Sequence, residues 1–382
     1  MTLPERPAYD CAVDVPWFRA LRWIAAGLAF LIAPLTAAAG PGAGSSSFDL
    51  GDQPVVNVIV RGRANEVAVR TWDRPSVQLD YTEETAPTVE RHTVAFGSAR
   101  LPVAQQIPPL LYTTRDKDGL PTSSGALPPE EFPFASFRPG THDVVRIDAP
   151  AGSHLTVTLP ASTGLFVLRV GGGQTTIEGY RGANMLVIQG QGRVHVTGTS
   201  TTAFVQMNYG TFYAADDSFE RLRVRGVGAH DVFERCRSRQ IEATSISGSI
   251  VYDGGSFEPG LARFESQTGS IALGVTSAAQ LMGRSQDGHV YTLFERRGVA
   301  SVEQHGEGEA IASVGAGGPL VNAISSKGNV YFYDGTLLSR RTVSPEWRQV
   351  LQLFAAHRRP APARATHPRA PSEPHATRLV RP

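Results

Sequence analysis

A chain of 382 residues can hold one large domain or two ordinary ones and can bury a sizeable core. Apolar residues at 41% and charged residues at 19% exclude wholesale disorder, and 39 Gly with 27 Pro exclude a helical bundle. A formal net charge of +1 gives no general case for nucleic acid as a partner.

In chain order the first feature, within residues 1–39, is an address. "WIAAGLAFLIAPLTAAA" (Trp23 to Ala39) follows Arg19 and Arg22 and ends in Ala37-Ala38-Ala39. A positive flank, a short apolar core and small terminal residues describe a secretory signal cleaved after Ala39. An uncleaved signal anchor is the alternative, although the run is short for a span of about 20 residues and contains Pro34. Either way the expected destination is export, to the periplasm or the cell surface. Cys11 lies in this leader, so Cys236 is left as a single thiol, expected to be buried and structural.

Between 48 and 81, "VVNVIVRG", "EVAVRTWD" and "SVQLDYTE" read as three alternating strands. From 82 to 143 the alternation stops. "IPPLL" and "LPTSSGALPPEEFPFASFRPG" read as a Pro-rich insertion or lateral loop, too long for an ordinary connection and a place where binding residues tend to sit.

From 144 to 343 one short phrase keeps returning. "SISGSIVYD", "SQTGSIALG", "SQDGHVYTL" and "SSKGNVYFY" start at Ser245, Ser266, Ser285 and Ser325. Glycine marks fall at Gly173, Gly192, Gly210, Gly228, Gly248, Gly269, Gly288, Gly308 and Gly328, about 20 residues apart, with Gly228 and Gly308 fitting poorly. Around the four best marks, apolar or small residues stand at −7, −5 and −3 and again at +2 and +4. Period two on each side of a glycine means two strands with one inward face and a bend between them. A unit of that size cannot bury its own face but can stack on copies of itself. The expected fold is therefore all-β, a single-stranded β-helix or solenoid with coils of about 20 residues. The four Ser are expected to form a structural ladder near one corner, since no His or Asp keeps a fixed offset to them.

Three passages resemble the bacterial "putative adhesin" domain family of exported β-solenoid proteins. They are "VRTWDRPSVQL" (Val69 to Leu79), "DAPAGSHLTVTLPASTGLFVLRVGGGQTTIEGYRG" (Asp148 to Gly182) and the Ser-x-x-Gly-x-Ile/Val phrases. The resemblance covers about Phe48 to Arg340, less the insertion. It implies export and a β-helix fold and supplies no catalytic residues. The long insertion and the Arg/Pro tail depart from it.

Candidate chemistry is sparse. Asp216, Asp217 and Glu220 precede His230-Asp231 by about one repeat, so Asp216, Asp217 and His230 could approach one another, but a solvated turn explains them as well. No cofactor and no metal motif is read. Three residues after the marks come Val251, Ala272, Tyr291, Ile311 and Tyr331, an outward apolar stripe. Tyr291 and Tyr331 in that stripe are the possible surface-binding residues; cover by another segment of the chain is the other reading. Three functions follow: a non-catalytic exported solenoid that binds or scaffolds at the cell envelope, a self-assembling rod of bactofilin type, or a polysaccharide-acting β-helix enzyme. The partner is unknown from sequence; envelope polysaccharide and a surface protein are the candidates, with no nucleic acid.

The chain closes with Ser344-Pro345-Glu346-Trp347 and "RQVLQLFAAHRR". Here Trp347, Val350, Leu351 and Phe354 share one helical face, which predicts a short amphipathic capping helix over 344–359. Residues 360–382 read as a disordered Arg/Pro-rich tail. From His357 onward six Arg face one Glu, which suits solubility or tethering, or contact with an anionic surface as the alternative.

Overall fold

The computed structural model describes residues 43–96, 111–115, 121–126, 138, 140–294, 300–335 and 352. The expected signal, the capping helix apart from Gln352, and the basic tail lie outside the described residues.

The protein is all-β. Its strands begin with β1 (Ala43–Asp49), β2 (Val55–Val60), β3 (Asn65–Trp72), β4 (Ser76–Thr82), β5 (Thr88–Phe96), β6 (Leu111–Arg115) and β7 (Pro121–Ala126). Then come β8 (Gly140–Ala149), β9 (His154–Pro160), β10 (Leu165–Val170), β11 (Gly173–Glu178), β12 (Asn184–Thr197), β13 (Ser200–Ala215) and β14 (Ser218–Glu234). The series ends with β15 (Arg237–Ser245), β16 (Ile250–Phe257), β17 (Ala262–Ser266), β18 (Ile271–Val275) and β19 (Ala279–Ser285), followed by β20 (Val290–Leu293), β21 (Ala300–Gln304), β22 (Glu309–Val314), β23 (Leu320–Ser325) and β24 (Val330–Asp334). All but β6 and β7 join one open sheet; those two make a separate antiparallel hairpin. The stretch expected as a loop over 82–143 thus carries β5, β6, β7 and the start of β8, and β5 pairs with β8 from Thr88↔Asp148 to Phe96↔Gly140. Its Pro clusters hid the alternating "TVERHTVAF".

The centre of the sheet is parallel and in strict register. β11, β12 and β13 align Gly173, Gly192 and Gly210, and β14 follows with Ala229. Gly173, Gly192 and Gly210 hold φ of +125°, +107° and +119°, a backbone that L side chains rarely adopt. At Gly248 the reason is contact, because a Cβ there would overlap the Ala229 carbonyl oxygen. The mark expected at Gly228 is therefore one residue early: Ala229 occupies the column, and Gly228 only precedes it.

That shift matters for the core. The inward column two residues on runs Val194, Phe212, Asp231, Ile250, Ile271, Val330 and Val290. All are buried, and every member except Asp231 is apolar. The flanking inward residues Ile241, Ala243, Phe264 and Leu273 are also buried, as period two predicts. Each of the four Ser does two jobs. Ser266 Oγ accepts from Gly269 N at 2.9 Å and donates to Gly248 O at 3.0 Å. Ser245, Ser325 and Ser285 repeat this toward Ala229 O, Gly269 O and Gly328 O.

Those Ser partners reveal an order that chain position does not. β17 and β18 pair not with the strands that follow them but with β23 and β24, and β19 and β20 pair outside these. β22 then runs antiparallel to β19, and β21 antiparallel to β22. Gly308 thus precedes an antiparallel strand and does not continue the parallel series. The other end mirrors this. β2 and β3 lie between β8/β9 and β10/β11, all parallel, while β4 and β5 run antiparallel to β9 and β8.

Candidate functional site

The outward face of the second strand series carries the predicted stripe. Its column runs Tyr213, Val232, Val251, Ala272, Tyr331 and Tyr291. Tyr331, read either as a possible surface-binding residue or as covered by another segment of the chain, is buried, at 1% exposure. Because β24 is inserted between β18 and β20, Tyr331 is flanked by Ala272 on one side and Tyr291 on the other. The rings of Tyr291 and Tyr331 stack at 5.2 Å and 13°, and Asn329 Nδ2 donates to the Tyr331 hydroxyl at 3.0 Å. Tyr291 is partly buried and has His289 beside it at 5.7 Å. Ile311 leaves the stripe altogether, since β22 pairs antiparallel with β19.

Two residues along, the next outward column places Glu234 beside Asp253, both buried. Tyrosine hydroxyls donate to each: Tyr213 to Glu234, and Tyr333 to Asp253 Oδ1 at 3.0 Å. Arg235 ion-pairs with Glu234 and reaches Asp216 at 2.6 Å.

Of the three residues considered for catalysis, Asp216 and Asp217 share one corner and His230 stands apart. Asp216 and Arg235 occupy one corner column with Gly179, Gly198 and Gly254, all five at positive φ. The Arg235 hydrogen bond holds the Asp216 carboxyl below its ordinary range. Asp217 turns inward at the same corner and accepts from Thr199 N at 2.6 Å; burial raises its carboxyl to about 7. His230 stands opposite Thr211, about five residues along the strand from that corner, or ~16 Å at 3.3 Å per residue. Its Nδ1 accepts from Ser249 N at 3.1 Å, and burial lowers its pKa, so it is a neutral ring. Asp231 points the other way, into the core. Glu220 is exposed and paired with Arg239 at 2.8 Å. Cys236 is buried, as expected, with its thiol pushed up by burial. Among the described residues no group of His, Cys, Asp or Glu is placed to hold a metal ion.

A second outward face, on the first strand series, was not singled out by its sequence. Its apolar part is Val55, Leu165, Val167, Leu186 and Phe204. Next to it lies a cavity of ≈ 420 Å³ that includes Ile59, Arg61, Arg169, Gln189, Gln206 and Asn208 in its lining. The available signal was one charge in an otherwise apolar run, Arg169 in "LFVLRV".

These features define an all-β protein with a long, mainly parallel, open sheet. No protein-family model matches the chain, and no curated protein matches it. Among solved structures, a protein described as a putative cell adhesion protein from Clostridium sporogenes ATCC 15579 aligns with 76% of this chain and 98% of its own. The identity is 8% and the TM-score 0.27, too low to carry an argument about this chain's role.

Proposed function

We propose that the chain is a non-catalytic, exported, adhesin-like β-solenoid that binds or scaffolds at the bacterial cell envelope. In this reading the parallel strand pairs wind as coils of about 20 residues around the inward columns. The observation that carries it is the pair of ends. Antiparallel strands cover β8, β9 and β19 on their outer sides, through β5, β4 and β22, so on these strands the parallel edge is not left open for a second copy. A capped rod suits display of its flat faces; a polymerising rod needs open ends. The leader expected over 1–39 supports export, and the distance of His230 from Asp216 and Asp217 supports a role without catalysis.

The test is to express the tagged full chain in a bacterial host, fractionate the cells and measure the mass of the purified protein by light scattering. The reading expects a monomer in the periplasmic or surface fraction that cosediments with isolated envelope polysaccharide. Cytoplasmic retention would overturn export, and filaments would favour the bactofilin-type rod.

A further inference from the structure

The cavity beside the outward apolar patch holds an arginine whose chemistry is unfinished. Arg169 projects from β10 on the side opposite the core residues Phe166, Leu168 and Val170. Its Nε and Nη2 are both buried and make no hydrogen bond. These two donors lie along one edge of the planar guanidinium. That edge is the one that grips a carboxylate through two parallel N–H···O bonds.

The neighbouring charges do not supply the missing anion. In the outward column Asp148, Ile59, Arg169, Ile188 and Gln206, the carboxylate stands two strands from Arg169, about 10 Å away at ~4.8 Å per strand. Asp148 is already shared by Arg146 at 2.8 Å and Arg61 at 3.9 Å. Leaving two buried donors of a cation unpaired is costly, and a native site that does so calls for an explanation. The guanidinium pKa is lowered by burial and by repulsion from Arg146, the signature of a cation without its counter-charge.

The rest of the cavity suits a polar, hydroxylated ligand. Gln206 and Asn208 bring amides that both donate and accept, and Arg61 adds a second cation at the rim. A volume of ≈ 420 Å³ lies within the usual range of small-molecule sites.

We infer that this cavity binds the carboxylate of an acidic sugar, such as a uronate residue of a polysaccharide, with the free edge of Arg169 as its anchor. The inference takes its choice of sugar from the envelope-binding reading. The Arg169 site itself rests on geometry alone.

The experiment is calorimetric titration of the full chain with oligogalacturonate, its methyl ester and inorganic phosphate, repeated on Arg169→Gln and Arg169→Lys. Oligogalacturonate is expected to bind, and the ester, which has neither the negative charge nor two equivalent acceptor oxygens, is not. Arg169→Gln should weaken binding about 10- to 100-fold, and Arg169→Lys should recover only part of that loss, because an ammonium cannot present a fork. Thermal melts of both variants at or above the parent's show that lost binding is not lost fold. Equal binding of the ester, equal binding by Arg169→Gln, preference for phosphate, or no binding of oligogalacturonate would each overturn the proposal. Cell fractionation is independent of all these arms, so failure of the sugar site and failure of the export reading are told apart.

Discussion

The middle of the sheet and its two ends obey different rules. From β11 to β16 each strand pairs in parallel with the one about 20 residues on, ending on β17 and β18, and spatial order equals chain order. At both ends a later or earlier strand pair is slipped in one place, and the last strands turn antiparallel. The middle solves a packing problem, burying one apolar face per strand. The ends solve an edge problem, because a parallel strand with no neighbour offers a row of unpaired N–H and C=O groups. Antiparallel strands complete part of that edge, as β22 does for β19.

The largest expected effect tests the ends. Replacing 300–314 with a short Gly/Ser linker removes β21 and β22 and uncovers β19. The purified protein should change from monomer to oligomers or aggregates by light scattering. A variant that stays monomeric with unchanged stability would show that these strands do not protect the edge.

Next comes the middle. Ile271 sits in the inward column at 0% exposure, so Ile271→Asp buries an uncompensated carboxylate and should cost about 3–5 kcal/mol in urea unfolding. Ser270→Asp, one residue away and facing outward, should stay within about 0.5 kcal/mol. Equal losses for the two would show that the inward register is wrong.

Asp231 sharpens the same point from the other side. It already occupies the inward column, between Phe212 and Ile250, with neither carboxylate oxygen hydrogen-bonded. Burial pushes its pKa well up, and that of Asp217 to about 7 from an ordinary 3.8. Between about pH 4 and 7 the folded state therefore holds a proton on Asp217 that the unfolded chain has released. The stability contribution from this group falls as pH rises through that window and levels off above it. Asp217→Asn keeps an acceptor for Thr199 N and should flatten the slope between pH 5 and pH 8. Asp231→Val should raise stability at pH 8 by about 1–4 kcal/mol. Unfolding midpoints at the two pH values check both, and an unchanged slope in Asp217→Asn would count against the raised carboxyl.

The smallest effect lies at the corner. Arg235 holds φ of +53° where Gly198 and Gly254 hold the same conformation without a Cβ. Arg235→Gly relieves about 1 kcal/mol of backbone strain and loses the ion pairs to Glu234 and Asp216. A melting temperature within a degree or two of the parent's is expected. A large drop would mean that the buried Glu234 depends on Arg235.

Much of the middle was legible because its signals are local. Ser three residues before Gly, and apolar residues two and four after it, lie within one strand–turn–strand segment. The hydrogen bonds of Ser245, Ser266, Ser285 and Ser325 follow that spacing. One mark was misread where Gly228 stands beside Ala229, since a glycine next to the column looks like a glycine in it. For the tyrosines the local pattern left surface binding and cover by the chain both open, for a related reason. Period two says which side of a strand Tyr331 is on, but not which strand lies beside it. Arg169 was passed over because one charge in an apolar strand has no periodic signature; only three dimensions set it in a cavity away from a carboxylate.

The sequence by itself determined strand type, inward face and turn position, since backbone geometry fixes period two and hard-sphere contact fixes where glycine must stand. Tertiary structure alone decided the order of the end strands, the burial of Tyr331 and the unpaired edge of Arg169. The Ser–Gly phrases at Ser266, Ser285 and Ser325 are interchangeable as local signals, so nothing within any of them names its neighbour. That choice is made by the free energy of closing an exposed strand edge, which belongs to the assembled sheet rather than to any segment of the chain.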